Sequence, residues 1–280
     1  MRLLSPHADL YVPSGEALDQ ACARTQVLGV AAHPDDLELM ALPAILAGHA
    51  DPAQGFAGLV VCNGAMAGVG PDEGVALRRM EQRAAAQVGH YSVMLQLGHA
   101  SQAVQTGQAQ GLAEDLVEAM KALRPETLYS HNPADRHPSH LAVLLSLRQA
   151  LKQLDPAERP KRWLGSEVWG GLDWQALGDR LALPLEGDRE LAERLLEAHA
   201  SQLSRGKAYG PASAGRRRAN ATFIASHSPD AAEEVVLAMD LSPLLADDQL
   251  SLQDFLSQRV ERFRAEAVAR LDGLTQDPQA

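Results

Sequence analysis

Val27-Leu28-Gly29-Val30-Ala31-Ala32-His33-Pro34-Asp35-Asp36-Leu37-Glu38 is the stretch on which the fold turns. Val27 to Ala32 is a short β-rich run without a charge, and Leu37 to Leu46 is apolar with helical rather than alternating character. His33 to Asp36 stands between them, so the stretch reads as strand, tight loop, helix. The pattern recurs downstream. Gly58 to Cys62 reads as a buried strand, and Pro71 to Gly89 as a helix with Leu77, Met80, Ala84 and Val88 on one stripe. A strand at Val93 to Leu97, a helix at Gly111 to Leu123, a strand at Thr127 to Ser130 and a helix at Leu141 to Leu154 follow. Strands alternating with helices of this length imply right-handed βαβ units. The expected class is therefore α/β: Rossmann-like, a mostly parallel sheet with helices on both faces.

Beyond Pro156 the pattern weakens. A strand is expected at Glu167 to Trp169, a helix at Arg189 to Gln202, a long loop at Ser204 to Asn220, a strand near Thr222 to Ala225 and a closing helix at Leu252 to Leu271. No repeat, low-complexity tract or linker divides the chain. The expectation is a single domain over residues 1–280 with an elaborated C-terminal part.

Composition narrows the function classes. With 46% hydrophobic positions in 280 residues, the chain can bury a sizeable core. Twenty-five basic against 36 acidic residues give a net charge of -11, which repels phosphate backbones and anionic membranes, so no nucleic-acid partner is expected. Cys22 and Cys62 lack both zinc-ribbon spacing and disulfide-scaffold density and read as reduced thiols. Met1 to Pro13 carries Ser5, Pro6, His7 and Asp9 where a secretion signal needs an unbroken apolar stretch. Charges interrupt every candidate membrane span, so the expected compartment is the cytoplasm.

Two clusters carry chemistry: His33-Pro34-Asp35-Asp36-Leu37-Glu38 and His131-Asn132-Pro133-Ala134-Asp135-Arg136-His137-Pro138-Ser139-His140. Each follows a predicted parallel strand, and loops at the carboxyl ends of such strands share one crevice. A catalytic zinc commonly takes three His or carboxylate ligands and keeps one position open. His33 and Asp36, three residues apart across a strand-to-helix turn, can face one ion, and His140 can complete the set. Asp35 is then placed to take a proton from water, and either Asp35 or His137 can protonate a leaving amine. As an alternative, Asp35 and Glu38 have capping-box spacing, and the histidines of the second cluster can be a solvated loop.

These clusters resemble the motifs of the zinc-dependent N-acetylglucosaminyl deacetylases of the PIG-L/LmbE-like superfamily. The first is similar to "(A/P)HPDD-x-E", and Ser130 through His140 is similar to "THNP-x-D-x-H-x-x-H". Asn63-Gly64, the pair Arg78 and Glu81, and His199-Ala200-Ser201-Gln202 extend the likeness across most of residues 26–202. The resemblance implies an LmbE-like fold and removal of an N-acetyl group from an amino sugar or sugar conjugate. It implies His33, Asp36 and His140 as ligands of zinc, although other divalent ions suit the same donors. It also implies Asp35 as general base, His137 as acid or oxyanion partner, and Arg78, Asp135 and His199 as substrate contacts. For His199, a helix-surface position is the alternative. The implied partner is a small N-acetylated sugar or conjugate; a homo-oligomer is compatible with the sequence.

One departure is Ser139, where many family members carry Asp, which withholds a negative charge from His137. It motivates a second reading, a metal-holding sugar-binding or regulatory protein without turnover. A third, nicotinamide-dependent oxidation, rests on Gly64, Gly68 and Gly70, but these follow the second strand rather than the first, and no Tyr-x-x-x-Lys pair exists. Arg205, Lys207, Arg216, Arg217 and Arg218 concentrate positive charge that can receive a phosphate or carboxylate. Trp169 and Trp174, flanking Gly170-Gly171, can line a sugar-binding rim or pack in the core.

Overall fold

The computed structural model describes residues 1–66, 70–204, 206–222 and 232–275. In chain order the elements are β1 (Asp9–Tyr11), α1 (Leu18–Ala23), β2 (Thr25–Ala31), α2 (Asp36–Met40), α3 (Leu42–Ala50), β3 (Gly55–Cys62), α4 (Pro71–Val88) and β4 (Met94–His99). There follow α5 (Ser101–Gln105), α6 (Leu112–Leu123), β5 (Thr127–His131), α7 (Pro138–Lys152), β6 (Arg162–Ser166), β7 (Arg180–Pro184) and α8 (Arg189–Glu197). The last are α9 (Ala200–Leu203), α10 (Tyr209–Asn220), β8 (Val235–Asp240), α11 (Pro243–Ala246) and α12 (Leu252–Thr275).

The strands form one eight-stranded sheet in the order β1-β4-β3-β2-β5-β6-β8-β7. The run from β4 to β6 is parallel, as the alternation of elements dictates, while β1, β8 and β7 pair antiparallel at the edges. Alternate residues of the central strands feed opposite cores. Leu28, Val30, Ala57, Leu59, Val61, Leu95 and Leu97 pack on the face that holds Leu116, Met120 and Leu147 of α6 and α7. Phe56, Val60 and Met94 pack on the other with Leu37, Ile45, Tyr91 and Leu195. Helix α2 presses close to the sheet: a Cβ on Gly29 would lie 2.7 Å from Leu37 Cδ2 and 2.9 Å from Phe56 Cζ.

The α/β class holds, and several boundaries move. The helix expected from Leu37 to Leu46 is two helices, because Pro43 lacks the N–H that would continue the first one. The strand expected at Glu167 to Trp169 lies earlier, at β6, where Trp163 is buried and donates from Nε1 to Ser130 Oγ at 2.7 Å. The helix expected from Arg189 to Gln202 breaks at Ala198 and His199. The loop expected at Ser204 to Asn220 is largely helix α10. Its Gly, Ser and Ala content disfavours a helix locally, but tertiary contacts prevail: Arg217 pairs with Glu234 at 2.6 Å, and Asn220 Nδ2 donates to Val235 O at 3.1 Å. Thr222 is in a turn, and the rest of the strand expected near it lies outside the described residues. Among the described residues no helix is long and apolar enough to cross a membrane. Cys22 and Cys62 are buried and free.

Candidate metal centre

The order of the sheet reverses at β2: the chain steps outward through β3 and β4, then returns to place β5 on β2's other side. Crevices form at such a switch point beyond the carboxyl ends of the strands. The two clusters follow β2 and β5, and the fold brings them together there. His131 Nε2 accepts the Ala32 N–H at 2.9 Å, tying the two strand ends.

Asp36 is the hub. It is buried, and its Oδ2 accepts the His33 N–H at 2.8 Å and lies 3.3 Å from His33 Nδ1 and 3.2 Å from His140 Nε2. Burial alone would raise its pKa, but the charge and hydrogen bonding of His140, then of His33, hold it well below the carboxylate range. His140 is wholly buried on the first turn of α7, whose start is fixed by Pro138 and by His137 Nδ1, which accepts the Ser139 N–H at 3.3 Å. Burial would lower the His140 pKa, yet Asp36 and Asp135 push it up to about 9. Its Nδ1 lies 3.1 Å from Asp135 Oδ2, yet neither ring nitrogen meets hydrogen-bond geometry with a protein group.

A buried polar atom without a partner asks for an explanation, and a divalent cation supplies one here. A carboxylate facing one ring nitrogen while the other turns toward an acidic hub is the usual setting of a metal-binding His. Ligand atoms of His33, His137 and His140 lie within 4.8 Å of one another, as do those of Asp36, His131 and His140. His131 suits a ligand poorly: the Ala32 N–H already uses its Nε2 lone pair, and its ring stacks on His140 with centroids 3.8 Å apart. Burial, then His140, lowers its pKa to about 3, so it stays neutral as a structural tie.

Asp35 faces the same crevice but stands off the cluster. Its φ of 93° is in the left-handed region, which costs a residue with a side chain ~1–3 kcal/mol. Its carboxylate makes no helix-cap hydrogen bond, so the capping role is not what holds it. Instead Gln82 Oε1 accepts its N–H at 3.1 Å, and Arg78 Nη2 donates to its Oδ2 at 3.0 Å and to Pro34 O. Burial, followed by the charge of Asp36, pushes Asp35 up to about 6 against the pull of Arg78.

A buried network stands behind these groups. Arg78 Nη1 donates to Glu81 Oε2 at 3.0 Å, and Glu81 accepts the Ser201 N–H at 2.6 Å and hydroxyl at 2.7 Å. Glu38 accepts from Gln82 at 2.8 Å and Tyr91 at 2.7 Å and lies 3.2 Å from His199 Nε2. Gly64, at φ +65°, lets the loop after β3 pass over Pro34; a Cβ there would lie 3.0 Å from the Pro34 ring.

The crevice is a cavity of about 430 Å³, bordered by His33, Asp35, Asp36, His137, Trp169 and Tyr209. Two expected substrate contacts do not line it. Asp135 lies behind His140 and also accepts the His137 N–H at 2.8 Å, while His199 is fully buried against Glu38, neither on a helix surface nor in the crevice. Arg78 borders the cavity, but its guanidinium is committed to Asp35 and Glu81. Trp169 lines the cavity, whereas Trp174 packs against the core. The positive cluster separates: Lys207 donates to Gln202 at 2.6 Å, Arg217 and Arg218 pair with Glu234, and Arg205 lies outside the described residues. Gly68 of the glycine-rich run lies outside them as well. Tyr209, Gln105 and Ser101 join the lining without any sequence motif to announce them, and Lys207 of the expected positive cluster lines it too.

The family model described as GlcNAc-PI de-N-acetylase (PIG-L) matches residues 28–151, from β2 to α7, and so contains both clusters. This span is a PIG-L family domain. No curated protein matches the sequence. Solved structures do match. A conserved protein of Thermus thermophilus is 20% identical, covering 78% of this chain and 94% of its own, at a TM-score of 0.62. The N,N'-diacetylchitobiose deacetylase of Pyrococcus horikoshii, complexed with its inhibitor MPG, is 14% identical over 80% and 86% of the two chains, with a TM-score of 0.63. The 4-carboxy-2-hydroxymuconate hydratase of Pseudomonas putida KT2440 is 16% identical over 78% and 96%, at 0.56. At these identities the likeness is one of fold, and one fold hosts more than one chemistry. The assignment of the PIG-L domain rests on the family match, whose span holds the two clusters.

Proposed function

We propose that this chain is a zinc-dependent hydrolase that removes the N-acetyl group from an amino sugar or sugar conjugate. The observation that carries the reading is the convergence of His33, Asp36 and His140 at the strand ends while Asp35 stays off the cluster. The PIG-L match and the deacetylase among its structural neighbours support it. His33, Asp36 and His140 would hold the ion. When bound, zinc lowers the pKa of water toward ~7 and polarises an acyl carbonyl.

The protein groups account for the proton traffic. Asp35, deprotonated above about 6, accepts the proton of the attacking water as oxygen bonds to the acetyl carbon. It returns that proton to the nitrogen as the C–N bond breaks, giving acetate and the free amine. His137 takes the oxyanion role in this reading. Its Nδ1 accepts the Ser139 N–H, so the neutral ring carries its proton on Nε2 and can donate to the oxygen where charge develops. Burial, then His140 and His33, lowers its pKa; Ser139, engaged by Gln105 at 2.8 Å, adds no charge to oppose this. A resting imidazolium acid is thus disfavoured, and Asp35 is left as the proton donor.

The test compares metal content and acetate release from a panel of N-acetyl sugars for wild type and His140→Ala. About one zinc per chain with acetate release, both lost in the variant, is the expected result. Ser139 favours the second reading, metal-holding without turnover. Bound zinc with no acetate from any panel member would support that reading, and a wild type that takes up no zinc would end both.

A further inference from the structure

Helix α12 outruns the body it grows from. Its first turns are anchored: Leu252 and Phe255 are buried in the core, Leu256 packs against it, and Arg259 and Arg262 both donate to Asp179, Arg259 at 2.5 Å. From Phe263 to Leu274 every residue is exposed except Glu266 and Ala267, which are half-buried. Leu256, Val260, Phe263, Ala267, Leu271 and Leu274 recur in steps of 4, 3, 4, 4 and 3 residues, an 11-residue repeat. Such a repeat runs at about 3.67 residues per turn, close to that of an α-helix, so the six side chains stay within an arc of about 80° and the stripe barely winds. The body covers the stripe at Leu256 and then stops: Val260 is 48% exposed, Phe263 39%, Leu271 64% and Leu274 76%. A contiguous apolar strip facing water marks an interaction surface.

We propose that this stripe pairs two copies of the chain through an antiparallel contact between their α12 helices, with Ala267 at the two-fold axis. Ala267 is central, seven residues from both Val260 and Leu274, and its small side chain lets the helix axes approach to about 8 Å. Reversal about that residue sets Val260 against the partner's Leu274 and Phe263 against the partner's Leu271, so the stripe is self-complementary, as a two-fold contact requires. The charges agree. Glu266 and Arg270 share one flank of the stripe, and neither side chain has a hydrogen bond or ion pair among the described residues. In the antiparallel pair each Glu266 comes within about 3 Å, measured along the axis, of the partner's Arg270, which gives two symmetric ion pairs. On the other flank Arg264 is already held by Glu261 at 2.8 Å. Antiparallel order also keeps two bodies of net charge -11 at opposite ends of the pair. Leu177, 59% exposed and two residues before Asp179, extends the apolar surface at the root of the helix, where the partner's tip arrives. A lipid surface fits less well. A membrane-lying helix presents its apolar side against a polar side rich in Lys and Arg, whereas this stripe is narrow and Glu261, Glu266 and Asp272 stand around it. Val260 to Leu274 spans only about 21 Å, so pairing is expected at micromolar rather than nanomolar concentration. It does not depend on the chemistry at the metal centre.

The experiment is sedimentation velocity on the full chain across roughly 1–200 µM. Wild type should shift from one chain mass to two. Leu271→Glu, which replaces an exposed side chain and so spares the fold, should raise the dimer Kd by about tenfold or more. Arg270→Glu should weaken the dimer severalfold, and Glu266→Arg added to it should restore the affinity, because the swapped charges meet again across the pair. Disulfide cross-linking reads the orientation, since the native Cys22 and Cys62 are buried. Val260→Cys and Leu274→Cys should cross-link when mixed and not when alone. A monomer at every concentration, a dimer that Leu271→Glu leaves intact, or Val260→Cys cross-linking to itself would overturn the proposal. A monomer that sediments with phosphatidylglycerol vesicles, and loses them on Leu271→Glu, would overturn it in favour of a lipid surface.

Discussion

Asp135→Asn separates the role the structure gives Asp135 from the substrate contact implied by the sequence resemblance. The side chain is buried behind His140, with Oδ2 3.1 Å from His140 Nδ1, while Oδ1 accepts the His137 N–H at 2.8 Å. Asparagine keeps an oxygen for the His137 N–H and nearly the same volume, so the loop should survive. What it loses is the negative charge that orients His140 and makes its other nitrogen a better donor. Removal of such an outer partner weakens metal binding by about 10–100-fold, or ~1.4–2.7 kcal/mol. The assay is a zinc competition titration against a chelator, read beside KM at saturating zinc. The expected result is a zinc Kd raised by at least tenfold with KM little changed. A Kd within twofold of wild type with a raised KM would refute the reasoning and return Asp135 to the substrate.

Three further substitutions probe the same centre. Asp35→Asn should keep zinc and lower kcat by roughly 10²–10⁴-fold. In wild type, kcat/KM should fall toward acid pH as Asp35 becomes protonated, its carboxyl being raised by burial, and an unchanged acid limb in the residual activity of Asp35→Asn would count against it as the base. His137→Ala should retain zinc and lose kcat by roughly 10²–10³-fold; zinc loss matching that of His140→Ala would make His137 a ligand instead. Glu38→Gln tests the buried network and should cost about 3 kcal/mol at neutral pH. Burial would raise the Glu38 pKa, but hydrogen bonding and charge from His199, then Tyr91 and Gln82, hold it below its ordinary 4.5. A depressed folded-state pKa contributes stability above that value and loses it as the pH falls below. The Tm gap between wild type and variant should therefore narrow below about pH 4.5; a constant gap would show that the carboxylate's charge is not what stabilises.

The motifs at the strand ends were legible because strand-loop-helix grammar and residue chemistry coincide in one short stretch. Val27 to Ala32 reads as a β-rich run, the strand proves to be Thr25–Ala31, and His33, Asp35 and Asp36 follow where it ends. The chain's C-terminal part was less legible. In α10, local propensity opposes a helix that pairing of Arg217 with Glu234 sustains, and at His199 a helical run breaks where the ring meets Glu38. Single-residue roles shifted for the same reason. Arg78 and His199 belong to recognisable motifs, but a motif records that a residue is needed and not which way it faces.

By itself, the sequence determined the α/β class, the two clusters and the acidic surface, because each follows from periodicity, spacing or charge along the chain. The tertiary structure alone decided that Asp36 is the hub, that His131 is spent on Ala32, that Asp135 serves His140, and that Trp169 and Tyr209 border the crevice. Those facts depend on the sheet reversing at β2, which sets β5 beside it and brings residues 99 positions apart within hydrogen-bonding distance. Contacts of that range are fixed by how the layers pack, and no local pattern encodes them.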